Sequence, residues 1–400
     1  MNKTLYKIIF NKKRGQMVVV AENTTRDGKS TADSAAGFVA EATSMALAAT
    51  LGAQRLRLVS FSLMLLLGSA FLVHPNSADA RIVADPNAAK NQRPTVLPSA
   101  NGTPQVNIQT PTKGGVSVNH YQQFDVDKKG AILNNSRKNT QTQLGGMVQG
   151  NPWLATGSAK VIVNQVNSRN PSHLNGYIEV AGQKADVIFA NSAGININGG
   201  GFINTRNATL TTGNPLIKDG LVAGYQVRGG QVNVSGDGLD ARSTDYTRIL
   251  AAAANVDGGV WAQALNVVTG HYDLDQNDAL SKQSVAAGAP AFAIDTGALG
   301  GMYAGKITLV STDQGRGIQH QGQLFANAGG VSLSADGQLI NSGVINSNGA
   351  GDDVTIRAES VHNSGTVSSQ RDQQIQTKGL TNTGLLASAQ ELVVNASDIV

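Results

Sequence analysis

Residues 331–348 read VSLSADGQLINSGVINSN, and residues 354–369 repeat the pattern as VTIRAESVHNSGTVSS. Each stretch begins with a short run of alternating apolar and polar residues, continues through a polar turn that ends in glycine, and finishes with a run of small residues. Short runs with this alternation are typical of β-strands rather than helices. The two stretches therefore indicate a repeat built from short strands joined by tight turns.

The same unit recurs over residues 307–390. Its four copies are 307–328, 329–351, 352–372 and 373–390, with strand starts at Ile307-Thr308-Leu309, Val331-Ser332-Leu333, Val354-Thr355-Ile356 and Ile375-Gln376-Thr377. The turn glycines Gly322, Gly343, Gly365 and Gly384 are 21, 22 and 19 residues apart. A period near 20 suits one coil of a parallel β-helix, in which alternate side chains stack on identical positions of the next coil. A leucine-rich horseshoe is the competing repeat, but the units lack its regular leucine frame.

Three expectations follow from this coil. Asn341, Asn363 and Asn382 precede the turn glycines, so they are expected to stack into a hydrogen-bonded ladder. The glycines are expected to supply positive φ angles. Extending the unit back to residue 106 gives about 14 coils at ~4.8 Å spacing.

Strand-like runs separated by Gly, Asn and Asp also fill the region before the clear repeat. They are Val106–Ile108, Ala131–Leu133, Val161–Val163, Tyr177–Val180, Val187–Phe189, Ile195–Ile197 and Gln231–Val234. The best helical candidate is Thr247–Leu265, but Val256–Val260 interrupts it, so strand and loop are favoured there. The predicted fold is all-β: a right-handed parallel β-helix (a solenoid) with short extra-helical strands and an N-terminal cap.

Both ends of this solenoid carry expectations. Residues 81–105 are polar and contain four prolines, which is typical of an extended leader. The last unit stops at Val400 without a polar cap, and a solenoid needs one. The chain is therefore expected to be a truncated piece of a longer protein.

The composition excludes several functional classes. Residues 1–80 carry nine Lys/Arg and five Asp/Glu, and the remaining 22 bases and 22 acids balance. The high isoelectric point therefore belongs to the first segment, and no nucleic-acid partner is predicted. The chain has no cysteine, which excludes disulfides and thiolate sites and suits a chain that stays unfolded across an oxidising periplasm.

The first 80 residues lie outside the predicted fold and form a targeting region. Arg55 and Arg57 precede the apolar run Leu58–Val73, and Ser77–Ala80 follows it. This is the order of a secretory signal, with cleavage after Ala80 so that Ala78, Ala80 and Arg81 define the site. A membrane anchor is the alternative, but the run is short for a span of roughly 20 residues.

Residues 1–30 precede this signal core and contain a second motif. The motif consists of Met1-Asn2-Lys3, Tyr6, Ile9-Phe10-Asn11, Arg14-Gly15, Val18-Val19-Val20 and Glu22. It resembles the extended signal peptide region of large autotransporters and two-partner-secretion proteins. Residues 31–54 are a spacer before the signal core at 55–80. A mispredicted start codon is the alternative, against which the motif at Met1 argues.

Residues 95–330 carry a resemblance that covers most of the remaining chain. The matching stretches are Val106–Pro111, Gly114–Ser117, Phe124–Val126, Gly130–Asn135, Leu144–Gly146, Asn151–Leu154, Leu174–Gly176, Ala185–Ile188, Asn191–Ile195, Asn198–Phe202, Leu210–Gly213 and Leu299–Ala304. In order and spacing they resemble the two-partner-secretion domain of the filamentous-haemagglutinin family, which includes CdiA-type contact-dependent inhibition toxins and large haemolysins. Where the family turn reads Asn-Pro-Asn-Gly-Ile, this chain has Ser192 and Ala193, so its turn lacks the proline that pre-sets φ.

The resemblance implies a function and a domain order. Residues 81–330 would be a secretion domain, recognised unfolded by a TpsB-type outer-membrane barrel transporter after passage through the Sec machinery, and residues 331–400 the start of haemagglutinin-type repeats. The implied recognition residues are Asn151, Pro152, Trp153, Leu154, Asn191, Ser192, Ala193, Gly194 and Ile195. The full protein would be secreted or held at the surface of a Gram-negative bacterium. Whether it is an adhesin, a contact-dependent toxin or a haemolysin, and which host or bacterial receptors its distal part meets, stays open.

No motif predicts an enzyme, a cofactor or a metal site. The six histidines are scattered, and the acidic stretch Asp273–Asp278 lacks the Gly and Glu that a calcium loop needs at its sixth and twelfth positions. The glycines Gly199–Gly201 are not followed by Gly-Lys-Ser/Thr, so a phosphate loop is not predicted. The alternative function is a secreted β-helix polysaccharide lyase, but the sequence offers no carboxylate cluster with a basic residue.

Overall fold

The structure, a computed structural model, describes residues 6–11, 16–21, 81–283 and 291–400. The chain divides into two units, Met1–His74 and Pro75–Val400. In the first unit the described residues form two antiparallel strands, in which Tyr6 pairs with Ala21 and Asn11 with Gln16. These strands lie within the predicted extension motif. The signal core at 55–80 lies outside the described residues.

Nearly all regular structure in the described residues is β. The strands up to residue 283 are β1 Tyr6–Asn11, β2 Gln16–Ala21, β3 Ile82–Ala84, β4 Thr95–Pro98, β5 Pro104–Asn107, β6 Val116–Phe124, β7 Ala131–Asn135, β8 Thr140–Thr142, β9 Gly146–Val148, β10 Val161–Val166, β11 Ser172–Leu174, β12 Tyr177–Gly182, β13 Ala185–Asn191, β14 Ile195–Ile197, β15 Gly200–Ile203, β16 Thr205–Thr211, β17 Asn214–Lys218, β18 Leu221–Val227, β19 Gln231–Val234, β20 Leu239–Ala241, β21 Tyr246–Ala251, β22 Ala253–Val256, β23 Gly259–Ala262, β24 Ala264–Thr269, β25 Tyr272–Asp275 and β26 Leu280–Lys282.

The strands after residue 291 follow a stricter rhythm of three per coil. They are β27 Phe292–Thr296, β28 Gly301–Ala304, β29 Lys306–Ser311, β30 Gly317–His320, β31 Gln323–Ala326, β32 Val331–Ala335, β33 Gln338–Asn341, β34 Val344–Ser347, β35 Val354–Arg357, β36 Ser360–Asn363, β37 Thr366–Ser369, β38 Gln373–Gln376, β39 Gly379–Asn382, β40 Leu385–Ser388, β41 Leu392–Asn395 and β42 Asp398–Ile399. Two short 3-10 turns, Lys90–Gln92 and Pro152–Leu154, complete the regular elements.

Three long sheets wrap around one core and form a parallel β-helix, as predicted. The first face contains β3-β6-β10-β13-β16-β21-β24-β29-β32-β35-β38-β41, the second β11-β14-β19-β22-β27-β30-β33-β36-β39-β42, and the third β4-β5-β7-β12-β15-β20-β23-β28-β31-β34-β37-β40. Each coil contributes one strand to each face, so alternate side chains point into a shared interior. The strands predicted within Thr247–Leu265 are β21 to β24, which confirms strand over helix there.

Inward side chains stack in columns along the axis. In one column of the first face, Phe189 pairs with Leu210, and the column continues to Leu309, Leu333 and Ile356. These side chains are at most 1% exposed. Because each coil buries the same kind of apolar surface against the next, burial of hydrophobic surface accumulates coil by coil.

The register corrects the predicted frame of the fourth repeat unit. Val354 pairs with Gln373, and Ile356 pairs with Ile375. The sequence frame had set Ile375 level with Val354, two residues out of register. Gln373 therefore occupies a fully buried position that Val331 and Val354 fill in the preceding coils. The apolar run predicts a strand start at Ile375, whereas the strand begins at the buried Gln373.

The predicted asparagine ladder is confirmed. The side-chain amide of Asn341 donates to Oδ1 of Asn363 at 2.7 Å, and that of Asn363 donates to Oδ1 of Asn382 at 2.7 Å. Asn341 is 0% and Asn363 2% exposed. In the preceding coil, His320 holds the position that pairs with Asn341.

The predicted role of the turn glycines is wrong. Gly322, Gly343 and Gly365 do not have positive φ angles. Instead, a Cβ on Gly343 would collide with the carbonyl oxygen of Gly322, and a Cβ on Gly365 with that of Gly343. Glycine is required here because the backbones of successive coils approach closely at this corner.

Insertions explain why the coil count falls below the predicted 14. The first face has twelve strands among the described residues. Some residues instead form the hairpin β8-β9 and a four-stranded antiparallel sheet, β17-β18-β25-β26, both outside the β-helix. Tyr225 and Tyr272 of that sheet pack on outward side chains of the first face, among them Val163 and Ile188, and form a second apolar core. These are the extra-helical strands that the sequence predicted.

Residues 81–105 are not the extended leader that their prolines suggested. Strand β3 pairs antiparallel with β6, and β4 pairs antiparallel with β5, which in turn runs parallel to β7. These antiparallel strands cover the first edges of two faces. The prolines fit because Pro98 and Pro104 stand at the ends of β4 and β5. The segment therefore forms the N-terminal cap.

The described residues contain no helix with the length and hydrophobicity of a membrane span.

Candidate transporter recognition site

The segment Asn151–Leu154 forms a 3-10 turn whose first residue is fixed by its side chain. Oδ1 of Asn151 accepts from the backbone N–H of Trp153 at 3.0 Å, which caps the turn, and Pro152 takes the first helical position. Nδ2 of Asn151 donates to the carbonyl oxygens of Ile108 and Asn134, both at 2.9 Å. The side chain of Asn151 is 3% exposed, so it ties the turn to two neighbouring segments.

The remaining side chains of this turn divide between the core and the surface. Leu154 is 1% exposed and joins the main core, whereas Trp153 is 45% exposed. The indole Nε1 of Trp153 donates to Oγ1 of Thr95 on β4 at 3.4 Å, and its carbonyl accepts from Thr110 at 2.7 Å. The turn therefore presents Pro152 and Trp153 beside the N-terminal cap.

The segment Asn191–Ile195 forms the turn between β13 and β14. Oδ1 of Asn191 accepts from the N–H of Ala193 at 2.9 Å, while Nδ2 donates to the carbonyl of Asn170 at 3.0 Å and to Oγ of Ser172 at 2.9 Å. The side chain of Asn191 is 1% exposed. It closes its own turn and fastens the preceding coil at the same time.

The other residues of this second turn are placed by backbone geometry and burial. Gly194 has φ +122°, a conformation that other residues rarely adopt, and a Cβ there would lie 3.1 Å from the carbonyl of Gln231. Ile195 is buried, and Ser192 is exposed at the position where proline is expected from the family pattern. The hydrogen bond from the N–H of Ala193 to Oδ1 of Asn191 therefore closes this turn without a proline.

The two segments do not form one surface. Asn151–Leu154 precedes β10, at the corner where the chain enters the first face, whereas Asn191–Ile195 lies at the corner between the first and second faces. None of the nine candidate residues has an ionisable side chain. Recognition through these residues would therefore rest on apolar contact, shape and hydrogen bonds.

Burial separates the candidates into two groups in the folded chain. Five are buried: Asn151, Leu154, Asn191, Gly194 and Ile195. The others lie at the surface or partly exposed. Of the predicted cleavage site, Ala78 and Ala80 lie outside the described residues. Arg81 is exposed, and its carbonyl accepts from the N–H of Asp125 at 3.0 Å.

Sequence reasoning missed two buried side chains, Asn135 and Glu179, that fasten the segments after and before the first turn. Asn135 is 0% exposed, accepts from the N–H of Ala159 at 2.7 Å and donates to the carbonyls of Ala159 and Gln183. Glu179 is 4% exposed, and its two carboxylate oxygens accept from the N–H groups of Gln143 and Leu144, each at 2.8 Å. The available signal was an acidic residue inside an apolar strand, which needs partners when it is buried.

The described residues hold no group of three or more His, Cys, Asp or Glu side chains placed to bind a metal ion. Asp273 to Asp278, the acidic stretch considered for calcium, lies in β25 and the turn after it. There Asp273 pairs with Arg228 at 2.5 Å and Asp278 with Arg248 at 2.8 Å.

Comparisons with known proteins fit this geometry. The family described as "TPS secretion domain" matches residues 80–346, and the family described as "Extended Signal Peptide of Type V secretion system" matches residues 1–52. The chain is 49% identical over 354 residues to "Toxin CdiA" of Yersinia pestis, and this match covers 87% of this chain and 10% of the relative. It is 43% identical over 351 residues to "tRNA nuclease CdiA-2" of Burkholderia pseudomallei strain 1026b, which covers 86% of this chain and 11% of the relative.

A solved structure is also similar. The crystal structure of the filamentous hemagglutinin secretion domain superposes with a TM-score of 0.63 at 30% identity, over 79% of this chain and 99% of that one. The chain spans about a tenth of the length of the curated relatives it matches.

Proposed function

This chain belongs to the TPS secretion domain family, and on that premise we propose that its β-helix carries a larger protein through a partner outer-membrane barrel. The secretion domain and the extended signal peptide make it part of a secreted or surface protein of a Gram-negative bacterium. A secretion domain of this family implies a cognate TpsB-type transporter. In this proposal residues 1–80 direct the Sec step, and residues 81–330 direct the outer-membrane step.

The observation that carries the proposal is the burial of Asn151 and Asn191. Each side chain makes three hydrogen bonds inside the folded chain, so a transporter that reads these amides must meet the chain before it folds. Folding then removes the amides from the transporter. Recognition and folding would exclude each other, and folding outside the cell would make export one-way without ATP.

Folding outside the cell has a physical driving force in this structure. Each coil leaves a strand edge on three faces, and the next coil adds backbone hydrogen bonds and buries its inward column on that template. The N-terminal cap supplies the first template, because β3 and β4 cover the edges that precede β6 and β5.

The test compares Asn191→Ala with Asn119→Ala, a matched control. Asn119 is equally buried, and its Oδ1 accepts from the N–H of Gln109 at 2.9 Å while its Nδ2 donates to Oγ of Ser117 at 3.1 Å and to the carbonyl of Val163 at 3.3 Å, but it lies outside both candidate segments. With the partner barrel co-expressed, we expect Asn191→Ala to lower the amount of chain in the medium several-fold, while Asn119→Ala stays near wild type.

A second arm separates recognition from folding. Unfolded peptides spanning residues 146–200 are titrated onto the purified periplasmic repeats of the partner, where the wild-type peptide should bind more tightly than the Asn191→Ala peptide. Equal secretion losses for both variants would assign Asn191 a folding role only. Secretion of the wild-type chain without the partner would refute the proposal.

The full protein, in this proposal, is a contact-dependent growth-inhibition toxin rather than an adhesin. The support is the similarity to relatives named as CdiA toxins and nucleases. Because the match covers about a tenth of those relatives, their nuclease activity is not assigned to this chain. A small immunity-type gene after a long reading frame would support the toxin, and a frame that ends in haemagglutinin-type repeats would favour the adhesin.

A further inference from the structure

The outer side of the third face carries aromatic rings on three successive coils. Trp261 of β23 pairs with Tyr303 of β28, which pairs with Phe325 of β31. All three side chains point outward and are partly exposed. Aromatic residues make up only 4% of the chain, so one ring per coil at the same register is a concentrated feature.

Glycines let these rings lie close to the backbone. A Cβ on Gly259 would collide with the six-membered ring of Trp261, and a Cβ on Gly301 with the ring of Tyr303. The two rings are inclined by 13°, with centroids 6.1 Å apart. This geometry is that of an offset-stacked pair. Each of the two side chains is also partly exposed, so part of each ring is open to a ligand.

Polar side chains with planar hydrogen-bonding groups border the rings. Arg242, Gln263 and Asn327 line a shallow hollow of about 470 Å³ together with the three rings. Nε2 of Gln263 donates to the carbonyl of Arg242 at 3.1 Å. Amide groups of this kind both donate and accept hydrogen bonds.

The charges at this hollow cancel. The guanidinium of Arg242 donates to both carboxylate oxygens of Asp240, at 2.9 and 2.7 Å. The second of these oxygens also accepts from the Tyr177 hydroxyl at 2.9 Å. With its one cation and one carboxylate engaged with each other, the surface favours an uncharged ligand.

We propose that this aromatic strip, defined by Trp261, Tyr303, Phe325, Arg242, Gln263 and Asn327, binds a neutral oligosaccharide chain without cleaving it. Sugar rings offer apolar C–H faces for the aromatic faces and pairs of hydroxyls for the planar polar groups. One ring per coil suits a polymer laid along the helix axis. This activity is separate from the proposed transport role, which uses other corners of the helix.

The test uses the full chain refolded without any transporter, so its result does not depend on secretion. Native gels containing hydroxyethylcellulose or glucomannan should retard the wild-type chain, and calorimetry should show binding of cellohexaose or chitohexaose. Trp261→Ala and Tyr303→Ala should each weaken binding roughly tenfold. Trp153→Ala, which removes a half-exposed ring at another site, should leave binding unchanged.

A second measurement, the fluorescence of Trp261, tests the proposal even if an alanine variant folds poorly. The chain has two tryptophans, so Trp153→Phe leaves Trp261 as the only one, and its emission should shift saturably with cellohexaose. The proposal is overturned if no neutral glycan retards or shifts the wild-type chain, if Trp261→Ala binds as wild type does, or if only the anionic polymer heparin binds.

Discussion

In the second face, one inward column changes character along the axis. From β11 to β22 it consists of Leu174, Ile197, Val234 and Val256, whereas from β33 onward it consists of Asn341, Asn363 and Asn382. Thr296 and His320 lie between the two sets. The coils before residue 283 also carry the insertions, and those after 291 repeat without them.

The early and late coils therefore fix the packing of one coil on the next in different ways. In the early coils, Phe124 meets Tyr121 and Phe189 edge-to-face at centroid distances of 4.7 and 5.1 Å, and the extra-helical sheet adds a second core. Such contacts occur once and fix one arrangement. In the late coils the hydrogen bond between asparagine side chains recurs from Asn341 to Asn363 and from Asn363 to Asn382. The stability of this region is therefore expected to be a sum of terms between neighbouring coils.

The largest expected effect tests this contrast with two alanine substitutions in one column. Phe189→Ala should destabilise the chain by about 3–5 kcal/mol because it empties a buried aromatic position. Ile356→Ala should cost about 2–5 kcal/mol but open only the late coils. Hydrogen exchange measured by mass spectrometry should show faster exchange throughout residues 116–250 for the first variant, and only beyond about residue 331 for the second. Faster exchange in β6 and β10 of Ile356→Ala would mean that the regions unfold together.

The next effect is a pH dependence at the junction of the two regions. Burial lowers the pKa of His320 to about 4, below the value of about 6.5 expected in the unfolded chain. Between these values the unfolded chain binds a proton that the folded chain does not, so stability falls as pH drops from 6.5 to 4, by roughly 3 kcal/mol. Denaturant melts across this range should show the loss.

The matched variant His320→Asn continues the asparagine column and removes the titrating group. Its stability should change less between pH 6.5 and 4 than that of the wild-type chain. Identical pH profiles for the two chains would mean that other groups, such as the paired carboxylates, dominate the loss.

The smallest expected effect concerns the ladder itself. Asn363→Ala removes one of the two acceptors of the Asn341 amide, the other being the carbonyl of Thr366, and it removes the donor to Oδ1 of Asn382. The loss should cost about 2 kcal/mol. Asn348→Ala, which removes an exposed acceptor of Gln370 in the neighbouring coil, should stay within about 0.5 kcal/mol of wild type. Urea unfolding followed by circular dichroism gives both values. A ladder variant as stable as its control would show that water replaces the bonds.

The late coils were the more predictable region because their repeat period can be read directly from the sequence. Asn341, Asn363 and Asn382 could be predicted to stack from their spacing, since the period alone sets the register. The exception was Gln373, a buried polar residue at an apolar position, which hid the true strand start. The reason for the turn glycines could not be predicted either. The sequence shows that glycine recurs, but not whether a positive φ angle or the close approach of two backbones requires it.

The early coils and the candidate site depended on contacts that sequence distance conceals. The family pattern supplied Asn151 and Asn191, but their burial and their bonds to Ile108 and Asn170 appear only when the coils stack. The cap at 81–105 was missed because its prolines suggested an open chain. Antiparallel pairing at a sheet edge tolerates proline, and nothing local reports that pairing.

The hydrogen bonds of the asparagine ladder all point in the same direction. The amides of Asn341 and Asn363 each donate toward the following coil, and the side-chain oxygens of Asn363 and Asn382 each accept from the preceding one. A whole coil can therefore be duplicated or deleted in a gene, and the new junction makes the same bond as the old ones. We expect rod length to evolve in single steps of about twenty codons, because each coil of a solenoid contacts only its neighbours.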